Sequence, residues 1–187
     1  MKTINSIKYI TFLVIILALS ACGTDDPEPV NEEELITTVR VTFSNAAMPN
    51  VVATFTDLDG PGGDAPVIVN PTLAANTTYS VSVEFLNEQD SPAEDITEEV
   101  AEEADEHQVF VVPGTGLNLT YAYSDQDVNG DPIGLAGTVT TTGASTGNLT
   151  VTLIHEPNKA AANVSSGDPT NAGGETDVTV TFSATIQ

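Results

Sequence analysis

Two clusters of side chains in this sequence have the types and spacing for chemistry. The first is Asp125-Gln126-Asp127-Val128-Asn129-Gly130-Asp131, with oxygen-bearing side chains at alternate positions and a glycine sixth. A hard cation takes clustered oxygens and the glycine allows a sharp turn, so this matches the first half of a calcium loop. The twelfth position holds Ala136, where such a loop wants a bidentate glutamate. The same residues read as a hairpin, with Asn129-Gly130 as the tight turn and the aspartates in water. We prefer that reading, because Asn-Gly is the strongest short hairpin signal. Asp57, Asp59 and Asp64 around Gly60 are a weaker echo. The second cluster involves His107 and His155, the two histidines of the chain. Each touches acid, as Asp105-Glu106-His107 and as His155-Glu156. Imidazole with carboxylate suits zinc or copper. His107, His155, Glu106 and Glu156 make one site if their segments meet in space, and are otherwise surface groups beside charges.

Nothing else forms a constellation. No G-x-S-x-G elbow is present. The acids from Glu98 to Glu106 lie in one solvated run, without the contrast of environments that acid–base work needs. The expectation is a protein that is not an enzyme. A calcium or zinc ion is the one cofactor the residues suggest.

Cys22 stands apart from both clusters. Met1 to Ala21 holds a basic stub with Lys2 and Lys8, an apolar run from Ile10 to Leu19, and then Leu19-Ser20-Ala21-Cys22. The run is shorter than the ~20 apolar residues needed to span a bilayer. It fits a signal peptide over 1–21. The ending resembles a lipobox, the bacterial motif where lipid is attached to cysteine and the chain is cut before it. Cys22 is the single cysteine, so it has no internal disulfide partner, and lipidation accounts for a lone thiol in an exported chain. The resemblance implies two or three acyl chains. At ~0.8 kcal/mol per buried CH₂, several chains anchor far more firmly than one. Gly23 is not the aspartate that retains such proteins at the inner membrane of enteric bacteria. Thr24-Asp25-Asp26-Pro27-Glu28-Pro29 resembles the acidic export tag of surface lipoproteins in the Bacteroidota. An extended, solvated tether would have the same composition. The expected address is the outer membrane, facing outward.

All 27 acidic residues follow the signal, where only Arg40 and Lys159 are basic, so the formal charge there is about −25. Such a charge repels nucleic acid and anionic lipid, and nucleic-acid binding is excluded as a function class. The abundance of Thr and Val, with 14 Gly and 11 Pro, suits many short strands and turns.

The elements that must position these residues follow from hydrophobic period. An acidic tether spans 22–34 and a single domain 35–187. Val39, Val41 and Phe43 share one face of a strand, as do Tyr79, Val81, Val83 and Phe85, then Leu149, Val151 and Leu153, then Val178, Val180, Phe182 and Ala184. Further strands are expected at 51–56, 65–70, 107–112, 117–124 and 135–142, about nine in all. Ser91-Pro92-Ala93-Glu94 reads as a capped helix start, and Ile96, Val100 and Ala104 as its apolar stripe. One short helix is expected from Pro92 to about Asp105. Its acidic C-terminal end opposes the helix dipole and needs a cation to keep it from fraying. A long loop is expected over 156–176. The fold class is all-β, an antiparallel immunoglobulin-like β-sandwich with one short inserted helix, or else a jelly roll or other Greek key.

Several runs resemble a family of small Bacteroidota lipoproteins. They are Asn87-Glu88, Ser91 through Glu99, Asp105-Glu106-His107-Gln108-Val109-Phe110, His155-Glu156-Pro157-Asn158-Lys159, and Asn171 through Asp177. The resemblance covers the whole chain after the signal. Some members carry the label "type 1 periplasmic binding fold superfamily protein", which implies an α/β domain. The period-two pattern argues against that here. The resemblance implies partnership with an outer-membrane TonB-dependent transporter and assigns no functional residue. Three roles stay open: a non-enzymatic binding or accessory lipoprotein, a metal-capturing one, and a structural envelope protein.

Overall fold

The structure is a computed structural model that describes residues 35–60, 62–89 and 91–187. The signal peptide over 1–21, Cys22 and the tether over 22–34 lie outside the described residues. The domain expected over 35–187 folds as a two-sheet β-sandwich with one short helix.

The first sheet contains β1 (Thr38–Asn45), β2 (Met48–Thr56), β3 (Val67–Val69), β5 (Thr78–Asn87), β8 (Leu119–Tyr123) and β9 (Ala136–Thr141), in the order β3-β2-β1-β5-β9-β8. A two-residue strand, β6 (Glu94–Asp95), also pairs with β5. The second sheet has the order β4-β11-β10-β7, from β4 (Thr72–Leu73), β7 (His107–Pro113), β10 (Ser145–His155) and β11 (Glu175–Ile186). Pairing is antiparallel except where β4 runs parallel to β11. Eleven strands are therefore found among the described residues. The two beyond expectation, β4 and β6, are too short to show a period of their own.

The alternation seen in sequence is the core. Val39, Val41 and Phe43 from β1 face Tyr79, Val81, Val83 and Phe85 from β5, all buried. Leu149, Val151 and Leu153 from β10 and Val180, Phe182, Ala184 and Ile186 from β11 close the core from the second sheet. Val178 is only partly buried against it. Each such side chain contributes about 1.5–3 kcal/mol when fully buried.

The helix differs from the expectation. It is α1 (Ile96–Glu102), seven residues rather than the fourteen from Pro92 to Asp105. Glu94 and Asp95 are drawn into pairing with Asn87 and Leu86, so their backbone cannot start a helix. Asp95 caps it instead, its carboxylate accepting from the Thr97 N–H at 3.1 Å. Thr97 Oγ1 in turn accepts from the Phe85 N–H at 3.0 Å, fixing the helix to the end of β5. Ile96 and Val100 enter the core, as the stripe required. The helix thus carries the chain from one sheet to the other and delivers it to β7.

The segment over 156–176 is not simply a loop. It holds two 3-10 turns, Val164–Ser166 and Pro169–Asn171. Val164 and Ala172 pack on Phe110 and Ile154, forming a second, smaller core. β7 is consequently buried on both faces at its start, which is why His107-Gln108-Val109-Phe110-Val111 shows continuous burial.

Candidate functional site

His107 opens β7 and His155 ends β10, and the two residues are directly paired across the strands. Both lie on the inner-facing register, with Val109 and Val111 on one strand and Leu153 and Val151 on the other. The pairing stacks the rings, with centroids 4.7 Å apart and planes at 13°. The condition set by the sequence is therefore met: the helix end and the end of the eighth expected strand do meet. His107 is buried at 1% exposure, while the His155 side chain keeps 15%. His107 Nδ1 lies 3.2 Å from the Glu103 carbonyl, at the C-cap of α1.

Carboxylates surround the pair. The ligand atoms of Glu103, His107 and His155 all lie within 4.8 Å of one another, as do those of Glu106, His155 and Glu156. Glu106 Oε2 is 3.7 Å from His155 Nε2. The backbone holds this corner tightly, with the Glu156 N–H donating to the Glu106 carbonyl at 2.6 Å. Gly174 makes that possible. A Cβ there would sit 2.2 Å from the His155 carbonyl, and its φ of +71° suits glycine.

The aspartate loop joins β8 to β9. A turn is present, but the Gly130 N–H donates to the Asp127 carbonyl at 3.1 Å, so Val128 and Asn129 are its central residues rather than the expected Asn129-Gly130. Asp127, however, does not face water as the hairpin reading expected; its side chain is only 1% exposed. Asp127 Oδ1 accepts from the Asn129 and Asp131 N–H groups at 2.8 and 3.0 Å. Asp127 Oδ2 takes the Lys159 ammonium at 2.9 Å. Asp125 accepts from the Gly134 and Ala136 N–H groups, both at 2.8 Å. Every carboxylate oxygen of Asp125 and Asp127 thus has a protein donor. Asn129 brings its backbone N–H to this set, and Asp131 its N–H and its carbonyl, which accepts from the Asp127 N–H at 2.8 Å. The arrangement stabilises a turn with its own donors on both aspartates. Burial works against ionisation of Asp127. The Lys159 hydrogen bond, the two backbone donors and the Lys159 charge outweigh it and hold its pKa below 3.8.

Sequence reasoning missed Lys159 as a structural residue. Its Nζ donates to Asp127 and, at 2.6 Å, to the Ala104 carbonyl just beyond α1. It is the cation that the acidic helix end needed. The signal was available in composition, since only two basic residues follow the signal peptide. The other, Arg40, pairs across strands with Glu84 at 2.8 Å. Glu103 was also missed as a neighbour of the histidines, because it was read as part of a solvated helix face.

Behind the histidines lies a polar layer. Gln108 Nε2 donates to Tyr123 OH at 3.1 Å and to the Val164 carbonyl at 3.0 Å. Tyr123 OH donates to the Val109 carbonyl at 3.0 Å. Burial, with the nearby Asp125 charge, pushes the Tyr123 pKa up to about 12 against the pull of the Gln108 hydrogen bond. This hydroxyl therefore stays a protonated donor that ties β8 to β7. Compared with family models, curated proteins and solved structures, the chain matches none.

Proposed function

We propose that this chain is a lipoprotein acylated at Cys22, held at the outer membrane with its sandwich facing outward, and that it works as a non-enzymatic binding or accessory protein. The outer-membrane TonB-dependent transporter implied by the sequence resemblance is the partner this reading favours. The signal, the Leu19-Ser20-Ala21-Cys22 ending and the acidic stretch after it support the address. The best-placed buried charges, Asp127 and Lys159, are spent on a structural pair, which supports a binding role over catalysis.

The observation that carries a binding role over a purely structural one is β3. It ends the first sheet among the described residues. Its side chains Val67, Ile68 and Val69 are 68%, 41% and 50% exposed. Exposed apolar edge strands invite pairing, and proteins ordinarily blunt them. A second copy carrying about −25 charges is a poor occupant. An added strand from a different, less acidic protein fits better.

The test is co-purification from membranes after gentle crosslinking. The native chain is expected to bring down an outer-membrane transporter, and Ile68→Lys to bring down much less. Recovery of this chain alone would favour a structural role, and turnover of a substrate by the purified chain would overturn the reading. Cys22→Ser is expected to move the protein from the membrane to the soluble fraction, read by fractionation and by the loss of acyl mass.

A further inference from the structure

We infer that the β3 edge takes an extended segment of its partner as an added antiparallel strand, apolar at alternate positions and carrying lysine or arginine at its C-terminal end. This rests on the reading of β3 as a docking edge, and adds the direction and sequence chemistry of what docks there.

Charge is confined to one end of the sandwich. The turns at the other end, over 46–47, 74–77, 114–118 and 142–144, contain no charged residue. Hydrogen bonds gather them. The Ala75 N–H donates to the Gln187 carbonyl at 2.8 Å, the Asn76 N–H to that of Thr142 at 2.9 Å, and Asn118 Nδ2 to that of Gly143 at 3.0 Å. The acids collect at the opposite strand ends: in the loop with Asp57, Asp59 and Asp64, in α1 and its flanks, and in the β8–β9 turn. β3 runs from the acidic end toward the uncharged one. Val67 pairs with Thr56, which adjoins Asp57, and Val69 pairs with Thr54. Past Val69, Asn70 Oδ1 accepts from the Ser183 N–H at 2.7 Å and the chain leaves for β4. A strand added to β3 therefore meets carboxylates at one end only.

That end is defined by Asp59 and Asp64. Asp59 Oδ2 accepts from the Asp64 N–H at 2.8 Å, which holds both exposed acids at the approach to β3. Arg40 and Lys159 are committed to Glu84 and Asp127, and no other lysine or arginine occurs in 35–187. The edge itself, over 67–70, carries no charge of the kind that usually blocks pairing. Val67 and Val69 share the outer face with Thr54 and Thr56. Val52, 39% exposed, extends this apolar surface where β2 runs past β3. Every pairing in this sheet is antiparallel, and antiparallel pairs are slightly the more stable per residue. An antiparallel newcomer ends where β3 begins. Its apolar side chains, two residues apart, lie beside Val67 and Val69. Its last residues reach Asp59 and Asp64, where cations are attracted and acids repelled.

The test uses dye-labelled synthetic peptides and the full-length chain at low salt, read by fluorescence anisotropy. The probes are Val-Thr-Val-Thr-Lys-Lys, its reverse Lys-Lys-Thr-Val-Thr-Val, and Val-Thr-Val-Thr-Glu-Glu. The first is expected to bind saturably, about fivefold tighter than its reverse, and the glutamate peptide most weakly. Salt should shrink the difference. Asp59→Asn/Asp64→Asn is expected to level the first two peptides, and Ile68→Lys to abolish binding of all three. In the unmodified chain, amide exchange over 67–69 is expected to slow when the first peptide is added. Equal binding of the peptide and its reverse, a preference that survives Asp59→Asn/Asp64→Asn, or unchanged exchange over 67–69 would each overturn the inference. So would a peptide-free dimer that Ile68→Lys abolishes, which would give the edge to a second copy. The two readings fail separately. A transporter that co-purifies while the peptides show no preference removes only the strand's assigned chemistry. Peptide binding as expected, with no transporter recovered, removes only the transporter.

Discussion

Lys159 and Asp127 form the residue-level contact that most constrains the region around the histidines. One ammonium joins three segments: the β8–β9 turn through Asp127, the end of α1 through Ala104, and the segment after β10. A buried pair is weak evidence of net stability, but removing one partner leaves a bare buried charge. Lys159→Met is therefore expected to lower unfolding free energy by about 3–5 kcal/mol in urea titrations. Adding Asp127→Asn to it should recover part of that loss, because the two residues are coupled. The pair also sets an acid response. The folded pKa of Asp127 lies below its ordinary 3.8, so its stabilisation is fully present above that value. It is lost as pH falls through the lower, folded value. The stability gap between the native chain and Asp127→Asn is expected to be constant from pH 7 to about 5 and to shrink below about 4. A gap that persists at pH 2 would contradict this.

At the scale of elements, α1 shows how local signals compete. Ser91-Pro92-Ala93-Glu94 has the residues of a helix start, yet the chain there pairs with β5 and the helix waits for Asp95. The apolar stripe of Ile96 and Val100 was legible, since burial enforces its spacing. The boundary was not, because a strand pair with distant residues decided it. Asp95→Ala is expected to cost about 1 kcal/mol, read as a lower Tm. It should also loosen the Glu103 end if the helix frays as a unit. The cation near the other end is Lys159, which bonds the Ala104 carbonyl just past the C-cap Glu103 and lies 55 residues from Ala104 in sequence. No local rule could have found it. The segment over 156–176 was equally opaque. Its composition reads as loop, but Val164 and Ala172 cover Phe110 and Ile154.

On the scale of the molecule, charge and sheet architecture dominate. With about −25 charges after the signal and only two cations, the domain repels itself, and salt screens such repulsion beyond ~8–10 Å. Raising sodium chloride from 0.01 to about 0.3 M is expected to raise Tm, and a fall would contradict the charge argument. What the sequence by itself determined was which residues face inward. Period-two alternation in β1, β5, β10 and β11 specified the core, because a one-residue slip would turn every apolar side chain to water. Composition likewise determined the charge, and the lone cysteine after an apolar run carried the expected anchor. Only the tertiary structure decided that His107 and His155 stand opposite each other, that Glu103 joins them, and that Asp127 is buried against Lys159. The reason is physical. Alternation constrains each strand against water, one residue at a time, whereas strand order and register bring together residues far apart in the chain. His107 and His155 are 48 positions apart by number, and only the pairing of β7 with β10 makes them neighbours.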